Sequence, residues 1–324
     1  MIFINDLPEL VNSDMYLFAD DTKIFKVITG KGDIDTLQTD LNKMTEWSDT
    51  WLLQFHPDKC KHMHIGKQGD STTEYRLQNT TLQTADTEKD IGVTIDSELT
   101  FEKHINEKVK KANSMFAMIR RSFQYLNEET FLPLYKSLVR SHLDFASPVW
   151  SPYKMKDIEK IEGVQRRATK QIPGYRNLSY SERLEKLKLP TLSYRRARGD
   201  MIEMFKIMKK IYDKEVCNFI PLWKDKTERQ STRGNQMKIF PKINKKKLRA
   251  HSFTQRAGRM WNQLPQNVVN APSVNTFKNR LDRYWANEKF KYADFRAQTG
   301  GRKLTLNEKN ESGEEDYACA GKHP

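Results

Sequence analysis

Cysteine is rare in this sequence, and long hydrophobic runs are absent. The three cysteines, Cys60, Cys217 and Cys319, stand far apart and include no CxxC pair, which excludes a disulfide-stabilised secreted domain and a cysteine-based zinc motif. The apolar run at residues 1–4 is far too short for a signal peptide or a membrane span. These absences predict an intracellular protein, nuclear or cytoplasmic, that is not secreted and has no membrane partner.

Hydrophobic residues are also sparse. They make up 37% of the chain against 30% charged residues, and the mean hydropathy is −0.80. Aromatic residues nevertheless reach 10%, so the composition is not that of a disordered protein. A chain of 324 residues without internal repeats predicts two or three compact units, each with a thin hydrophobic core.

Positive charge is abundant and unevenly distributed. The chain has a net charge of +14 and a pI near 9.5. Residues 1–100 hold 9 Lys/Arg against 18 Asp/Glu, a net charge of −9, whereas residues 101–290 hold 41 against 18, a net charge of +23. An acidic unit followed by a basic one fits a polymerase, in which carboxylates hold metal ions and basic side chains hold the phosphate backbone. The alternative is that the charge only keeps the surface soluble.

The first hundred residues contain a predicted β-hairpin. Apolar runs at residues 15–19 and 24–28 flank a short polar break, a pattern typical of two strands joined by a turn. Asp20 and Asp21 lie in that break. The sequence therefore predicts two adjacent carboxylates at the tip of the hairpin.

A helix and further strands complete a predicted α+β unit. Between residues 33 and 51, apolar residues recur at spacings of three and four, which predicts a helix capped near Asp33. Its Trp47 and Trp51 are predicted to lie in the core rather than to act as stacking platforms. Residues 60–65 and 91–95 predict short strands.

The remainder of the chain predicts helices. Apolar stripes indicate helices over residues 105–123, 134–145 and 158–172. A capping-box pattern at residues 179–182 begins another helix, and a long basic helix follows over about 191–212.

An ordered series of motifs resembles the reverse transcriptases of non-LTR retrotransposons (LINE-type, jockey-like). A lone FADD motif is weak evidence, but the series extends over most of the chain. In chain order the motifs are IFINDLP at 2–8, LFADDT at 17–22, WS at 47–48 with KC at 59–60, KDIGV at 89–93, LYKSLVR at 134–140, VWSP at 149–152, QRRAT at 165–169, LPTL at 189–192, RR at 195–196, SFTQR at 252–256 and WNQLP at 261–265.

The resemblance implies RNA-directed DNA polymerisation with Mg²⁺, using an RNA template, a DNA primer and dNTPs, and no other small-molecule cofactor. Asp20 and Asp21 are then the catalytic carboxylates and metal ligands, because nucleotidyl transfer uses two divalent ions held by carboxylate oxygens. In the family a third carboxylate and the fingers lie upstream of the FADD motif. We therefore expect this sequence to be the C-terminal part of a longer polymerase, inactive by itself.

The resemblance also implies further site residues. Lys59 stands where polymerases place a lysine that contacts or protonates the leaving pyrophosphate, although an ordinary surface lysine is an equal alternative. Lys89 and Gly92 fall in the predicted primer grip, where a glycine permits close approach of nucleic acid or only marks a bend. Predicted phosphate contacts, against the alternative of solvated helix faces, are Lys110, Lys111, Arg120, Arg121, Arg166, Arg167, Arg195 and Arg196.

The predicted organisation follows these assignments. It comprises a partial palm of α+β type at 1–100, a helical thumb at 101–175, a basic helical extension at 176–222, a linker or exposed loop at 223–250, a small helical aromatic module at 251–290 and a disordered tail at 291–324. An alternative function is a non-catalytic nucleic-acid-binding relic or domesticated protein, because binding needs only the basic segment.

Overall fold

The chain forms two compact units, Met1–Leu99 and Thr100–Pro324. The first contains small β-sheets and one long helix, and the described part of the second is helical, so the fold is mixed α+β and mostly helical. The computed structural model describes residues 4–66, 73–213, 217, 220, 222, 235–240, 247–286 and 291–293.

The first unit contains short antiparallel hairpins, one parallel strand pair and one long helix. Strands β1–β2, β4–β5 and β7–β8 pair antiparallel, and β3 pairs parallel with β6. The elements are α1 (Leu7–Leu10), β1 (Asp14–Phe18), β2 (Asp21–Phe25), α2 (Lys31–Trp51), a 3₁₀ turn (Pro57–Lys59), β3 (Lys61–His62), β4 (Arg76–Leu77), β5 (Thr80–Thr81), β6 (Gln83–Thr84), β7 (Thr87–Asp90) and β8 (Val93–Asp96).

Helix α2 supplies most of the first unit's core. Its apolar stripe buries Leu41, Met44 and Trp47, as the spacing predicts. The prediction that Trp51 lies in the core is wrong, because its side chain is 47% exposed. Trp51 is the last residue of the helix, and the chain turns away at Leu52, whose φ is +55°.

Three strand predictions need correction. The second hairpin strand covers Asp21–Phe25 rather than residues 24–28, because the turn is only two residues long. Residues 91 and 92 form a turn, so the strand predicted at 91–95 begins at Val93. The strand predicted at 60–65 is limited to Lys61–His62.

The second unit is helical throughout its described part. Its elements are α3 (Glu102–Ser122), α4 (Glu128–Leu134), a π-helical segment (Tyr135–Val139), α5 (Arg140–Asp144), α6 (Ser147–Trp150), α7 (Met155–Thr169), α8 (Tyr180–Lys186), α9 (Leu192–Met208), α10 (Lys247–Ala250), α11 (Phe253–Asn262), α12 (Gln266–Val269) and α13 (Val274–Tyr284).

Helices α3 and α7 run parallel and in contact. Three polar contacts join residues 54 positions apart along the pair, a constant offset that requires parallel helices. Lys156 contacts Glu102 at 2.8 Å, Lys160 contacts Asn106 at 3.0 Å, and Arg167 contacts Asn113 at 3.1 Å. The predicted stripe of α3 is buried along its length, with Ile105, Ala112, Phe116 and Ile119 inside.

The helix predicted over 134–145 is interrupted. Pro133 lies inside α4, where it lacks the amide hydrogen that a regular helix needs. The backbone then forms a π-helical segment over Tyr135–Val139 before α5 begins, and such π segments are usually short insertions in α-helices.

The C-terminal helices share one core with α9. Buried residues of α9 pack with Trp261 of α11 and Phe277 of α13, whose ring lies 4.3 Å from that of Phe205.

The segment predicted as a linker at 223–250 is described only at residues 235–240 and 247–250. Within it, Asn235 and Ile239 are buried. The tail predicted to be disordered lies outside the described residues except for 291–293. In the described part of the chain, no helix is long and apolar enough to span a bilayer.

Candidate active site and nucleic-acid surface

The β1–β2 hairpin ends in a two-residue turn that carries Asp20. Phe18 pairs with Asp21 across the ladder, so only Ala19 and Asp20 lie in the turn. Ala19 has a φ of +55°, as the first central residue of a tight hairpin turn does. Both aspartates are exposed. The two carboxylates are therefore adjacent on the surface, one at the tip and one at the start of β2.

The outer face of the same hairpin is aromatic. The rings of Tyr16 and Phe25 stack with centroids 5.5 Å apart, and Phe18 lies exposed on the same face because side chains alternate along a strand. The two carboxylates thus stand beside exposed apolar surface.

The β7–β8 hairpin carries the predicted primer-grip motif. Asp90 pairs with Val93, which leaves Ile91 and Gly92 in the turn with φ values of +43° and +81°. Positive φ at both central residues defines a type I′ turn and explains the glycine. Ile91 is a β-branched residue in the left-handed region, a strained conformation, and its side chain is 56% exposed.

An ion pair links the two hairpins. Lys23 of β2 contacts the carboxylate of Asp90 in β7. Lys89, the neighbour of Asp90, is exposed. The two hairpins are therefore joined through one side-chain ion pair.

The described part of the chain supplies some, but not all, of the ligands that a two-metal site needs. Asp20 and Asp21 supply carboxylate oxygens of the kind that Mg²⁺ prefers. Among the described residues, no group of three His, Cys, Asp or Glu side chains is placed to hold a metal ion. Lys59 is exposed at the end of its 3₁₀ turn.

Several predicted phosphate contacts lie on the surface of the second unit. Arg167 is exposed on α7, although it also donates to Asn113. Arg166 is half-buried, with its guanidinium 4.6 Å from the ring centroid of Tyr180. The exposed basic residues of α3 from the predicted set are Lys110, Lys111, Arg120 and Arg121.

Arg195 and Arg196 of α9 make contacts within the protein. Arg195 donates to Asp144 at 2.7 and 3.0 Å. Arg196 is only 4% exposed, and burial lowers the pKa of its guanidinium while the charge of Glu162 raises it. Both are placed to support the helical packing, and neither joins the exposed basic residues of α3.

Glu162 is the centre of a buried polar network. It accepts hydrogen bonds from the Tyr180 hydroxyl at 2.5 Å and from the Leu192 amide at 3.0 Å. Burial raises the pKa of this carboxyl, and these hydrogen bonds together with the charge of Arg196 oppose the rise. The network connects α7, α8 and α9.

Sequence reasoning missed Lys108 and His142, which lie close to the predicted Lys111. Lys108 lies over the ring of Phe145 at 5.4 Å, and His142 of α5 lies near both Lys108 and Lys111. The three-residue spacing of the two lysines indicates a common helix face. The positions of His142 and Phe145 follow only from the packing of α5 on α3.

Comparison with known proteins gives a distant and partial relationship. No family model matches the chain, and no solved structure matches it significantly. Over 206 residues, or 59% of the chain, it is 23% identical to a Drosophila melanogaster protein named RNA-directed DNA polymerase from mobile element jockey. The chain covers 22% of that relative. It is therefore a distant, partial relative of a non-LTR retrotransposon reverse transcriptase.

Proposed function

We propose that this chain is a segment of a retrotransposon RNA-directed DNA polymerase, with a palm portion in the first unit and a thumb and C-terminal region in the second. One observation supports the proposal: the hairpin that carries Asp20 and Asp21 is joined to the hairpin that carries Gly92 by the Lys23–Asp90 ion pair. A polymerase needs metal-binding carboxylates beside the primer terminus.

The two hairpins have distinct roles in this proposal. Asp20 and Asp21 would hold Mg²⁺, which would lower the barrier to attack by the primer hydroxyl and offset charge on the phosphates. Lys89 contacts a primer phosphate, and the Ile91–Gly92 turn lies against the sugar–phosphate backbone. Lys59 contacts the pyrophosphate once substrate is bound.

Two carboxylates are too few to hold both ions, and the resemblance implies a third. Because no three-ligand group is found among the described residues, we expect the 324 residues by themselves not to extend a primer. Duplex binding does not need those ions, since exposed lysines and arginines such as those of α3 neutralise phosphates.

Manganese provides the test of the metal role. Mn²⁺ added to the full chain with a primer–template duplex should broaden the NMR signals of the methyl groups of Leu17 and Ile91 through paramagnetic relaxation. The double substitution Asp20→Asn/Asp21→Asn should abolish that broadening, and Asp14→Asn, an exposed aspartate at the far end of β1, should leave it unchanged. Broadening that is absent, or that persists in the double variant, would reject the metal role.

A second function, nucleic-acid binding without catalysis, is favoured by one observation. Helix α3 exposes four basic residues of the predicted set, which can neutralise phosphates without a metal ion. Under this alternative the double aspartate variant binds duplex with the affinity of wild type. Mn²⁺ does not bind at the β1–β2 hairpin, so the Leu17 methyl signals are not broadened.

A further inference from the structure

Basic residues of α3 and α5 and an exposed aromatic ring lie where α3 packs against α5. Lys108 and Lys111 lie one turn apart on α3, and His142 lies on α5. Phe145 follows α5 directly, is 49% exposed, and has the Lys108 ammonium 5.4 Å from its ring centroid. We call these four residues the α3–α5 cluster.

Lys108 and Lys111 form no ion pair with a carboxylate among the described residues, and the carboxylate nearest in sequence is Glu107, beside Lys108 on α3. The charged groups that act on His142 are Lys111 and Lys108 of α3. On its own helix, Asp144 is paired with Arg140 and with Arg195 of α9. Like charges brought together without a counter-charge are unfavourable, and an anion at that point removes the repulsion.

The electrostatics of His142 follow from this arrangement. Burial lowers the pKa of the half-buried imidazole, and the charges of Lys111 and Lys108 lower it further. Free His142 is therefore neutral at physiological pH. A phosphate placed between the lysines and the imidazole would raise the pKa, because it favours the charged form.

The ligand chemistry is set by the surface position of the cluster. An open site holds a small anion weakly, whereas a polyanion gains from many phosphate contacts at once. The same helix exposes Lys110, Arg120 and Arg121, and residues 101–290 carry a net charge of +23. A continuous phosphodiester backbone fits this surface better than an isolated ion does.

We infer that the α3–α5 cluster binds a phosphate of a nucleic-acid backbone and that His142 takes up a proton from solvent when it does. The new imidazolium N–H donates to a phosphate oxygen. The Phe145 ring holds the Lys108 ammonium through its cation–π contact. The inference rests on the proposed function for its nucleic-acid partner. Its consequence is an affinity that rises as pH falls, because the bound state holds one more proton.

Duplex affinity as a function of pH tests this inference. Fluorescence anisotropy of the full chain with a labelled RNA–DNA hybrid, at constant ionic strength, should give an affinity about three- to tenfold higher near pH 5.5 than near pH 8. His142→Gln should remove that dependence and change the affinity near pH 8 less than about twofold. His251→Gln, a matched histidine that stacks on Tyr153 in the same unit, should retain the dependence.

Two further measurements complete the test. Lys108→Gln and Lys111→Gln should each weaken binding at every pH and reduce the slope of log affinity against log salt by about one. NMR titration of wild-type protein should show the pKa of His142 higher with the hybrid than without it. Double-stranded DNA of the same length, as a second arm, should give the same pH dependence if the phosphate backbone is the ligand.

The outcomes separate the inference from the proposed function. Tight duplex binding whose pH dependence is unchanged in His142→Gln, or a His142 pKa that does not rise on binding, overturns the inference and leaves the polymerase proposal standing. An absence of duplex binding at low salt overturns both. If affinity depends on pH with the RNA–DNA hybrid but not with double-stranded DNA, the cluster recognises a feature specific to RNA rather than the phosphate backbone. That result also overturns the inference as stated.

Discussion

His104 lies in the first turn of α3, where it is fully buried and packs against Trp150 with ring centroids 5.2 Å apart. Burial, with a smaller contribution from the charge of Lys108, lowers the pKa of His104 from 6.5 to about 4. The unfolded chain therefore binds a proton near pH 6.5, and the folded chain binds it only near pH 4. Between these values the unfolded state holds more protons, so stability falls as pH falls.

Replacing His104 should remove this acid sensitivity. We expect the free energy of unfolding of wild type, relative to His104→Gln, to fall by up to about 3 kcal/mol between pH 7 and pH 4, since each pKa unit corresponds to about 1.4 kcal/mol. Denaturant titrations over this pH range measure the difference. His56→Gln, an exposed histidine, should behave as wild type does. Parallel curves for wild type and His104→Gln would show that His104 is not the sensor.

Arginine positions mark the limit of prediction at the level of residues. The sequence around Arg195 and Arg196 resembles an exposed basic helix as much as that around Arg120 and Arg121 does. Arg195 is paired with Asp144 and the buried Arg196 is stabilised by the charge of Glu162, and both acids lie more than thirty positions earlier in the chain. A local pattern contains no information on such distant partners.

Hairpin turns show the same limit at the level of elements. The two adjacent carboxylates could be predicted, because a polar break between apolar runs marks a turn. The two-residue length of the turn could not be predicted, because alanine does not indicate the positive φ that Ala19 adopts. Helix α2 and the Ser179–Glu182 capping box, which has both hydrogen bonds, were predictable because spacing and caps are local. The Lys23–Asp90 ion pair could not be predicted, because it joins residues 67 positions apart in the chain.

Ile91 offers a test of the strained β7–β8 turn. Asparagine tolerates positive φ and is favoured ahead of glycine in type I′ turns, whereas β-branched residues are strained there. We expect Ile91→Asn to raise the free energy of unfolding of the first unit by about 1 kcal/mol. The melting temperature measures this, with Ile91→Val, which keeps the branched Cβ, as the control. If Ile91→Asn lowers the melting temperature, the packing of the Ile91 side chain stabilises the unit by more than its backbone strain destabilises it.

The C-terminal helices are attached to α9 by a buried ion pair. Arg256 of α11 donates to both carboxylate oxygens of Asp200 at 2.8 and 3.0 Å and also to the carbonyl of Pro148. Burial raises the pKa of Asp200, and the hydrogen bond and charge of Arg256 oppose that rise. The pair therefore joins α6, α9 and α11.

Breaking one partner of this pair should be costly. Arg256→Ala should lower the free energy of unfolding by about 3–5 kcal/mol, because it leaves Asp200 buried without a partner. The double variant Asp200→Leu/Arg256→Met should cost less than the sum of the single changes. Arg198→Ala, which breaks a more exposed pair with Asp282 on α13, should cost no more than about 1 kcal/mol. Additive effects at 200 and 256 in denaturant titrations would contradict the coupling.

For the whole molecule, charge is the property that composition predicted most directly. An acidic first unit carries the two candidate metal ligands, and a basic helical region exposes its lysines on α3. Composition could not separate a polymerase from a protein that only coats nucleic acid. The distinction depends on whether the primer terminus lies at the hairpins and the duplex lies on the helices.

Position-specific photo-cross-linking measures that arrangement directly. A primer–template duplex with a photoreactive nucleotide at the primer 3′ end is irradiated with the full chain, and the attached peptides are mapped by mass spectrometry. A second duplex carries the label in its interior. The account predicts that the 3′ label attaches to residues 14–25 and 87–96, whereas the interior label attaches to α3. Attachment of both labels to the same helical peptides, with none at the hairpins, would contradict the polymerase assignment.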